Sequence, residues 1–190
     1  MVRYYHGSAV AGITRLKACS KLHDSEEIGV YLTDSIPYAL FYIWDAKHTG
    51  YSGKHVTGWM KDGVAYYEEQ FPDQLQTFYQ GVSGYLYGIE ECKMIQPVAN
   101  RDNMFFGAGD VAIVDTMPIS DVYSELLRHE SEGKLVILRY REQTLDRQNA
   151  LIDMMAQAII RNEFYKGNME KQAFMKKYFV DAWQKASLSK

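Results

Sequence analysis

The chain has 190 residues, 47% of them hydrophobic and 14% aromatic, and a formal charge of -3. That is apolar material enough for one ordinary domain with an appendage, while the slightly acidic balance speaks against a general grip on nucleic acid by phosphate neutralisation. Cys19 and Cys92 are the two cysteines, too few for a disulfide framework and not at metal-finger spacing, which argues for a reducing compartment; Cys19 and His23 are near enough to share a metal, but two ordinary side chains are the plainer reading.

Residues 2–5 read as a first strand ending at His6-Gly7-Ser8, where small residues allow a turn. No charged segment followed by a long apolar run opens the chain, and the longest apolar stretches, such as 36–44, are too short for a membrane span. A soluble, cytoplasmic protein with no membrane partner is expected. A polar loop leads to Gly29-Val30-Tyr31-Leu32-Thr33, a β-branched and aromatic run. Asp34-Ser35 then offers a helix N-cap with Pro37 in the first turn, and the helix, carrying Tyr38, Phe41, Tyr42 and Trp44, is expected to end near Ala46.

Residues 56–60 and 64–68 flank Lys61-Asp62-Gly63, a strong hairpin signal. A short helix over 72–80, a strand over 84–89, a loop over 100–109, a strand over 110–115, a helix over 119–132 and a closing strand over 134–140 complete the first part. Short strands with scattered helices and no βαβ alternation predict an α+β fold on antiparallel pairing. Beyond Arg141, Leu151, Met154, Met155, Ala158 and Ile159 form one helical stripe and Met175, Phe179, Ala182 and Trp183 another. Two C-terminal helices over 141–190 are expected, covering a domain of residues 1–140 or forming a homodimer interface.

Several motifs fail. Gly107 and Gly109 precede a strand, not the helix a dinucleotide fingerprint requires. Gly50-Tyr51-Ser52-Gly53-Lys54-His55 is too short for a phosphate loop and reads as an exposed turn. Histidines at 6, 23, 48, 55 and 129 include no i, i+4 pair, so no metal is expected, and no Gly-x-Ser-x-Gly elbow supplies a serine nucleophile.

Three segments in order carry chemistry: Tyr5-His6-Gly7-Ser8; Gly29-Val30-Tyr31-Leu32-Thr33-Asp34 leading to Tyr42; and Gly109-Asp110-Val111-Ala112-Ile113-Val114-Asp115. Over roughly residues 1–140 they resemble the His-Tyr-Glu signature of the ADP-ribosyltransferases of the poly(ADP-ribose) polymerase and diphtheria-toxin branch. The resemblance implies an ADP-ribosylation fold of split antiparallel sheets with peripheral helices, and NAD as a substrate cleaved to nicotinamide. By the same resemblance His6, Tyr31 and Asp110 are the catalytic set, and His6, Gly7, Ser8, Tyr31 and Tyr42 bind NAD. His6 meets a ribose hydroxyl, the Gly7 backbone meets the nicotinamide amide, and the two tyrosines stack on the ring.

The chemistry suits the residue types. Cleaving nicotinamide from ribose passes through an oxocarbenium-like state, which a nearby carboxylate stabilises. A ring face over a desolvated cation is worth roughly 0.5–2 kcal/mol. Tyr42 reads equally as a core aromatic, and Asp115, Glu90 and Glu91 are rival acids. The segment before Asp110 contacts the acceptor in this family, which makes Phe105 and Phe106 candidates for acceptor recognition if exposed, and core residues if buried.

Two departures stand out. An Asp replaces the family's usual Glu, as in small drug-modifying members, and favours transfer of a single unit; Ala39 stands where many relatives place a nicotinamide-binding Ser. Mono-ADP-ribosylation of an unknown protein, nucleic acid or small-molecule acceptor is the leading expectation. A catalytically silent NAD or ADP-ribose binding module is the alternative. Transfer of an RNA 2'-phosphate to NAD ranks last, since apart from Arg3 and Arg15 the stretch around the His motif offers little basic character and the acidic balance speaks against a general RNA grip.

Overall fold

The computed structural model describes residues 2–22 and 25–188, so His23, the suggested partner of Cys19, lies outside the described residues. In chain order the elements begin with β1 (Val2–Ser8), β2 (Arg15–Leu16), β3 (Ser20–Lys21), β4 (Ile28–Thr33), α1 (Ile36–Leu40), α2 (Ala46–Thr49), β5 (Gly58–Lys61), β6 (Val64–Glu68), α3 (Gln74–Tyr79) and β7 (Gly84–Glu90). They continue with β8 (Ile95–Pro97), β9 (Met104–Ala108), β10 (Val111–Ala112), β11 (Asp115–Ile119), α4 (Val122–Ser131), β12 (Leu135–Leu138), α5 (Leu145–Arg161), α6 (Met169–Tyr178) and α7 (Val180–Leu188).

The protein is a mixed α+β fold. A seven-stranded antiparallel sheet runs β11-β7-β1-β4-β9-β8, with β3 also on β4; β10 pairs with β2, and β12, β6 and β5 form a third sheet. Pro118 lacks a ladder donor and sits in β11, at the edge of the large sheet where that costs least. The hairpin β5–β6 closes through Asp62 and Gly63, both at positive φ (51° and 77°), the backbone that Asp-Gly tolerates.

What opens a site is the way β1 leaves β4. Six residues of β1 are in register with β7, from Val2↔Glu90 to Ser8↔Tyr85, whereas β4 meets β1 at the single pair Tyr5↔Thr33. Helix α1 settles over the parting strands. Ser35 caps it by accepting from the Tyr38 amide, and Pro37 lies in its first turn. The approach depends on Gly7: a Cβ there would stand 2.1 Å from the Ala39 carbonyl oxygen.

Two apolar clusters hold the layers. The smaller joins Tyr4, Leu16, Val30, Leu32, Ile89, Ile95 and Val111. The larger gathers Leu40, Phe41, Trp44, Tyr67, Phe78 and Leu126 together with Met155, Ile159, Phe174, Met175, Phe179 and Ala182 of the C-terminal helices. The tail therefore shares the main core, and both expected stripes are covered within one chain, except that Met154 points outward at 49% exposure.

Several expected boundaries are corrected. Helix α1 stops at Leu40, not near Ala46, because tight turns follow (Tyr42 N to Ala39 O at 3.1 Å, Ile43 N to Leu40 O at 3.0 Å) and Asp45 starts α2 by capping Lys47 N. The loop expected over 100–109 contains β9. The single strand expected over 110–115 is split, β10 pairing with β2 and β11 with β7. β12 closes no antiparallel sheet; it runs parallel to β6. Three C-terminal helices replace two, with Phe179 at the break between α6 and α7.

Candidate functional site

A cavity of about 370 Å³ lies where β1 and β4 part beneath α1, walled by Tyr5, His6, Gly7, Tyr31, Tyr42 and Lys54 among others. His6 hangs from the part of β1 beyond the Tyr5↔Thr33 pair, and its Nδ1 lies 3.2 Å from the Tyr31 carbonyl oxygen. A carbonyl only accepts, so Nδ1 carries the proton. Burial first, and then the Lys54 charge, hold the imidazole pKa below its ordinary value, against the Tyr31 hydrogen bond, which raises it. A neutral ring protonated on Nδ1 leaves Nε2 with a bare lone pair, an acceptor for a ligand hydroxyl.

Tyr31 stands on β4 with its ring edge against Phe106 (centroids 5.2 Å apart, 70° between planes), and its hydroxyl donates to the Lys21 carbonyl at 3.3 Å. Tyr42 follows α1 on the opposing element. Its ring is T-shaped on Tyr38 at 5.7 Å, the two hydroxyls are 3.4 Å apart, and burial keeps its phenol protonated far above the ordinary range. Ala39 presents only a methyl group to the cavity, where a hydroxyl would have offered a polar anchor.

The structure thus brings His6, Gly7, Tyr31 and Tyr42 to one cavity. Asp110 does not line it. Its carboxylate accepts from Lys17 Nζ at 2.7 Å and from the Ala18 amide at 2.9 Å, and these two donors, with the Lys17 side chain foremost, hold its pKa below the usual carboxylate range. The segment that engages it runs on to Ser20, which does line the cavity. Ser8 also lies outside the lining, its Oγ accepting from Val10 N at 3.2 Å.

No family model, curated protein or solved structure matches the chain. The reading of the site therefore rests on its own geometry and on the motif resemblance.

The two phenylalanines before Asp110 divide. Phe105 is half-buried against Tyr4 (4.6 Å), and Phe106 is 4% exposed. They do not form an exposed pair, because alternation along β9 sends one to each face of the sheet. Among the described residues no group of three His, Cys, Asp or Glu is placed to hold a metal ion, and no helix is long and apolar enough to cross a membrane.

Lys54 is the charged residue of the lining, and sequence reasoning passed it over. It belongs to the turn dismissed as a failed phosphate loop, and nothing in the local pattern shows that this turn folds back over Tyr42, with the Lys54 ammonium 5.5 Å from the ring centroid.

Proposed function

We propose that the protein is an ADP-ribosyltransferase of the ADP-ribosylation fold that takes NAD and passes a single ADP-ribose unit to an acceptor. The observation that carries the reading is the convergence of His6, Gly7, Tyr31 and Tyr42 on one cavity of about 370 Å³, near the lower end of the roughly 300–1,000 Å³ common for ligand sites and suited to a flat ring with its sugar. The three segments that supply these residues and Asp110 follow the order of the family motif.

In this reading the nicotinamide lies between Tyr31 and Tyr42, with the Gly7 backbone at its amide. His6 Nε2 accepts from a ribose hydroxyl. The bond between the ring nitrogen and ribose C1' breaks, its electron pair leaves with neutral nicotinamide, and C1' bonds to the acceptor's nucleophile, which loses its proton. Asp110, kept ionised, reaches the oxocarbenium-like ribose only if the segment that binds it shifts: Lys17 and the Ala18 amide hold its carboxylate outside the cavity lining, and that segment runs on to Ser20, which lines the cavity. Exposed, unpaired Cys19 and Cys92 fit the cytoplasm.

Nicotinamide release from NAD by the pure protein is the test. His6→Ala and Asp110→Asn, each still folded, are expected to lower it by about 10²-fold or more, as removal of a charge-stabilising group does; equal release by both variants and the parent would overturn the assignment. One observation favours a second reading, a silent NAD sensor: Asp110 is tied to Lys17 and Ala18 outside the cavity lining. Calorimetric NAD binding that His6→Ala abolishes, with no nicotinamide released even in cell lysate, would select it.

A further inference from the structure

Among the described residues Lys54 has no counter-ion. Lysines 17, 21, 134, 166 and 185 each lie within 2.8 Å of a carboxylate or closer; Lys54, like lysines 47, 61, 93, 171, 176 and 177, has no described carboxylate within ion-pair distance, but it is the lysine that lines the cavity, with its ammonium on the Tyr42 ring face. The residue is exposed as a whole, yet it lines the cavity, and burial of the charge there pushes its pKa down against a smaller opposing influence of Cys19. A cation at an aromatic wall, felt by His6 on the same cavity, is stabilised by a ligand that brings negative charge and destabilised by one that brings only positive charge.

The turn that carries Lys54 is anchored by the C-terminal helices. Glu170, in the first turn of α6, accepts from the Ser52 amide through Oε1 and from the Ser52 hydroxyl through Oε2, both at 2.7 Å. The Tyr51 ring packs on Phe174 at 4.7 Å, and the Tyr178 hydroxyl donates to the Thr49 carbonyl at 3.3 Å. These contacts, all from α6 to the residues just before Lys54, set where the ammonium sits.

We propose that Lys54 is the anion-gripping residue of this cavity, taking a phosphate or carboxylate group of the bound ligand, and that the C-terminal helices position it through Glu170. In the choice of ligands this rests on the NAD reading. The shared chemistry is an oxyanion, which two sources supply: the pyrophosphate of a dinucleotide, or a carboxylate on the pyridine ring where nicotinic acid replaces nicotinamide.

Calorimetry on the full chain with four ligands separates the possibilities: NAD, its nicotinic acid counterpart, nicotinamide riboside and inorganic pyrophosphate. If the anion is phosphate, NAD binds at least tenfold more tightly than the riboside, and Lys54→Met erases that ratio. If it is the ring carboxylate, the nicotinic acid dinucleotide outbinds NAD at least tenfold, and Lys54→Met erases that preference instead. Glu170→Ala is expected to reproduce most of either loss, and the double variant to lose little more, the non-additivity of two residues acting as a unit.

Thermal melting keeps the variants honest, since Lys54 is exposed and donates no structural hydrogen bond. Dinucleotide binding unchanged by Lys54→Met would overturn the proposal and leave the NAD reading standing. Lys54-dependent binding of pyrophosphate without any dinucleotide would do the reverse, and failure of all four ligands to bind would end both. Full affinity in Glu170→Ala would remove the helices from the account.

Discussion

At position 6 the imidazole is half-buried, its Nδ1–H is committed to the Tyr31 carbonyl and a lysine lines the same cavity. In the proposed NAD reading, protonation puts a hydrogen on Nε2 and removes the acceptor for the ribose hydroxyl, so ligand capture is expected to fail in acid. Because the pKa is depressed, that failure is displaced downward: affinity for NAD is expected to hold constant from about pH 8 to below the ordinary imidazole value of about 6.5, and only then to fall. Lys54→Met removes one of the two influences that depress it and moves the acid limb upward, while burial keeps it from reaching the free value. A limb centred at or above about 6.5 in the parent, or one untouched by His6→Gln, would rule out this role for the imidazole. Next to it, Gly7→Ala forces a Cβ to 2.1 Å from a backbone carbonyl; overpacking costs roughly 1–3 kcal/mol, and a helix that must lift off the sheet places this change at the upper end. Urea unfolding should show that loss together with loss of NAD binding. Most of this was legible at the level of residue type: the His before Gly-Ser, the Tyr31 within a β-branched run and the Tyr42 of the helical stretch that follows are local signs. Lys54 was not, because its place over Tyr42 depends on contacts from α6, far along the chain.

Among elements, what the sequence showed well were those with local punctuation. Ser35 with Pro37 marked the start of α1 and Asp62-Gly63 marked the β5–β6 turn, since caps and primed turns are short-range physics. The end of α1 was missed because the run Phe41 to Trp44 is apolar throughout and carries no Gly or Pro, whereas the chain leaves the helix through tight i→i−3 turns (Tyr42 N to Ala39 O, Ile43 N to Leu40 O) before Asp45 caps α2. β9 was missed because Asn, Asp and Gly on both sides read as loop chemistry, although pairing with β4 and β8 overrides it. A buried acid ties other elements. Glu69, 5% exposed, accepts from Leu75 N through Oε1 and from Tyr140 N through Oε2, both at 3.0 Å, joining the first turn of α3 to the 3₁₀ turn after β12. Leaving a buried amide unpaired costs about 1–3 kcal/mol, and Tyr140 is half-buried, so Glu69→Ala should lose about 2–4 kcal/mol in chemical unfolding. Glu69→Gln, with one accepting oxygen, should lose less. A change below about 0.5 kcal/mol in Glu69→Ala, the usual surface range, would mean that water replaces the carboxylate freely.

For the whole molecule the question is whether residues 141–190 are an appendage, as the change of pattern after Arg141 suggests. Periodicity finds the apolar stripe of a helix but not its partner, and here the partner is the aromatic group at the heart of the first part: Phe174 stacks on Phe78 at 5.7 Å and meets Trp44 at 6.2 Å and Tyr51 at 4.7 Å. Met155, Ile159, Met175 and Phe179 fill the same cluster. A chain ending at 140 would leave Trp44 and Phe78 facing water, so it is expected to collapse without cooperative melting, and coexpressed residues 141–190 are expected to restore the melt. The graded form of the same argument is Phe174→Ala. Deleting a fully enclosed ring costs about 3–5 kcal/mol, or roughly 10 °C of melting temperature for a chain of this length. It should also weaken ligand binding, because the turn bearing Lys54 rests on that ring through Tyr51. Phe174→Leu, which keeps most of the volume, should recover stability before it recovers affinity, since a branched aliphatic fills the space without the flat face that Tyr51 packs against. A 1–140 fragment that melts sharply and binds NAD like the full chain would show instead that the helices are a separate unit, and that the site is complete without them.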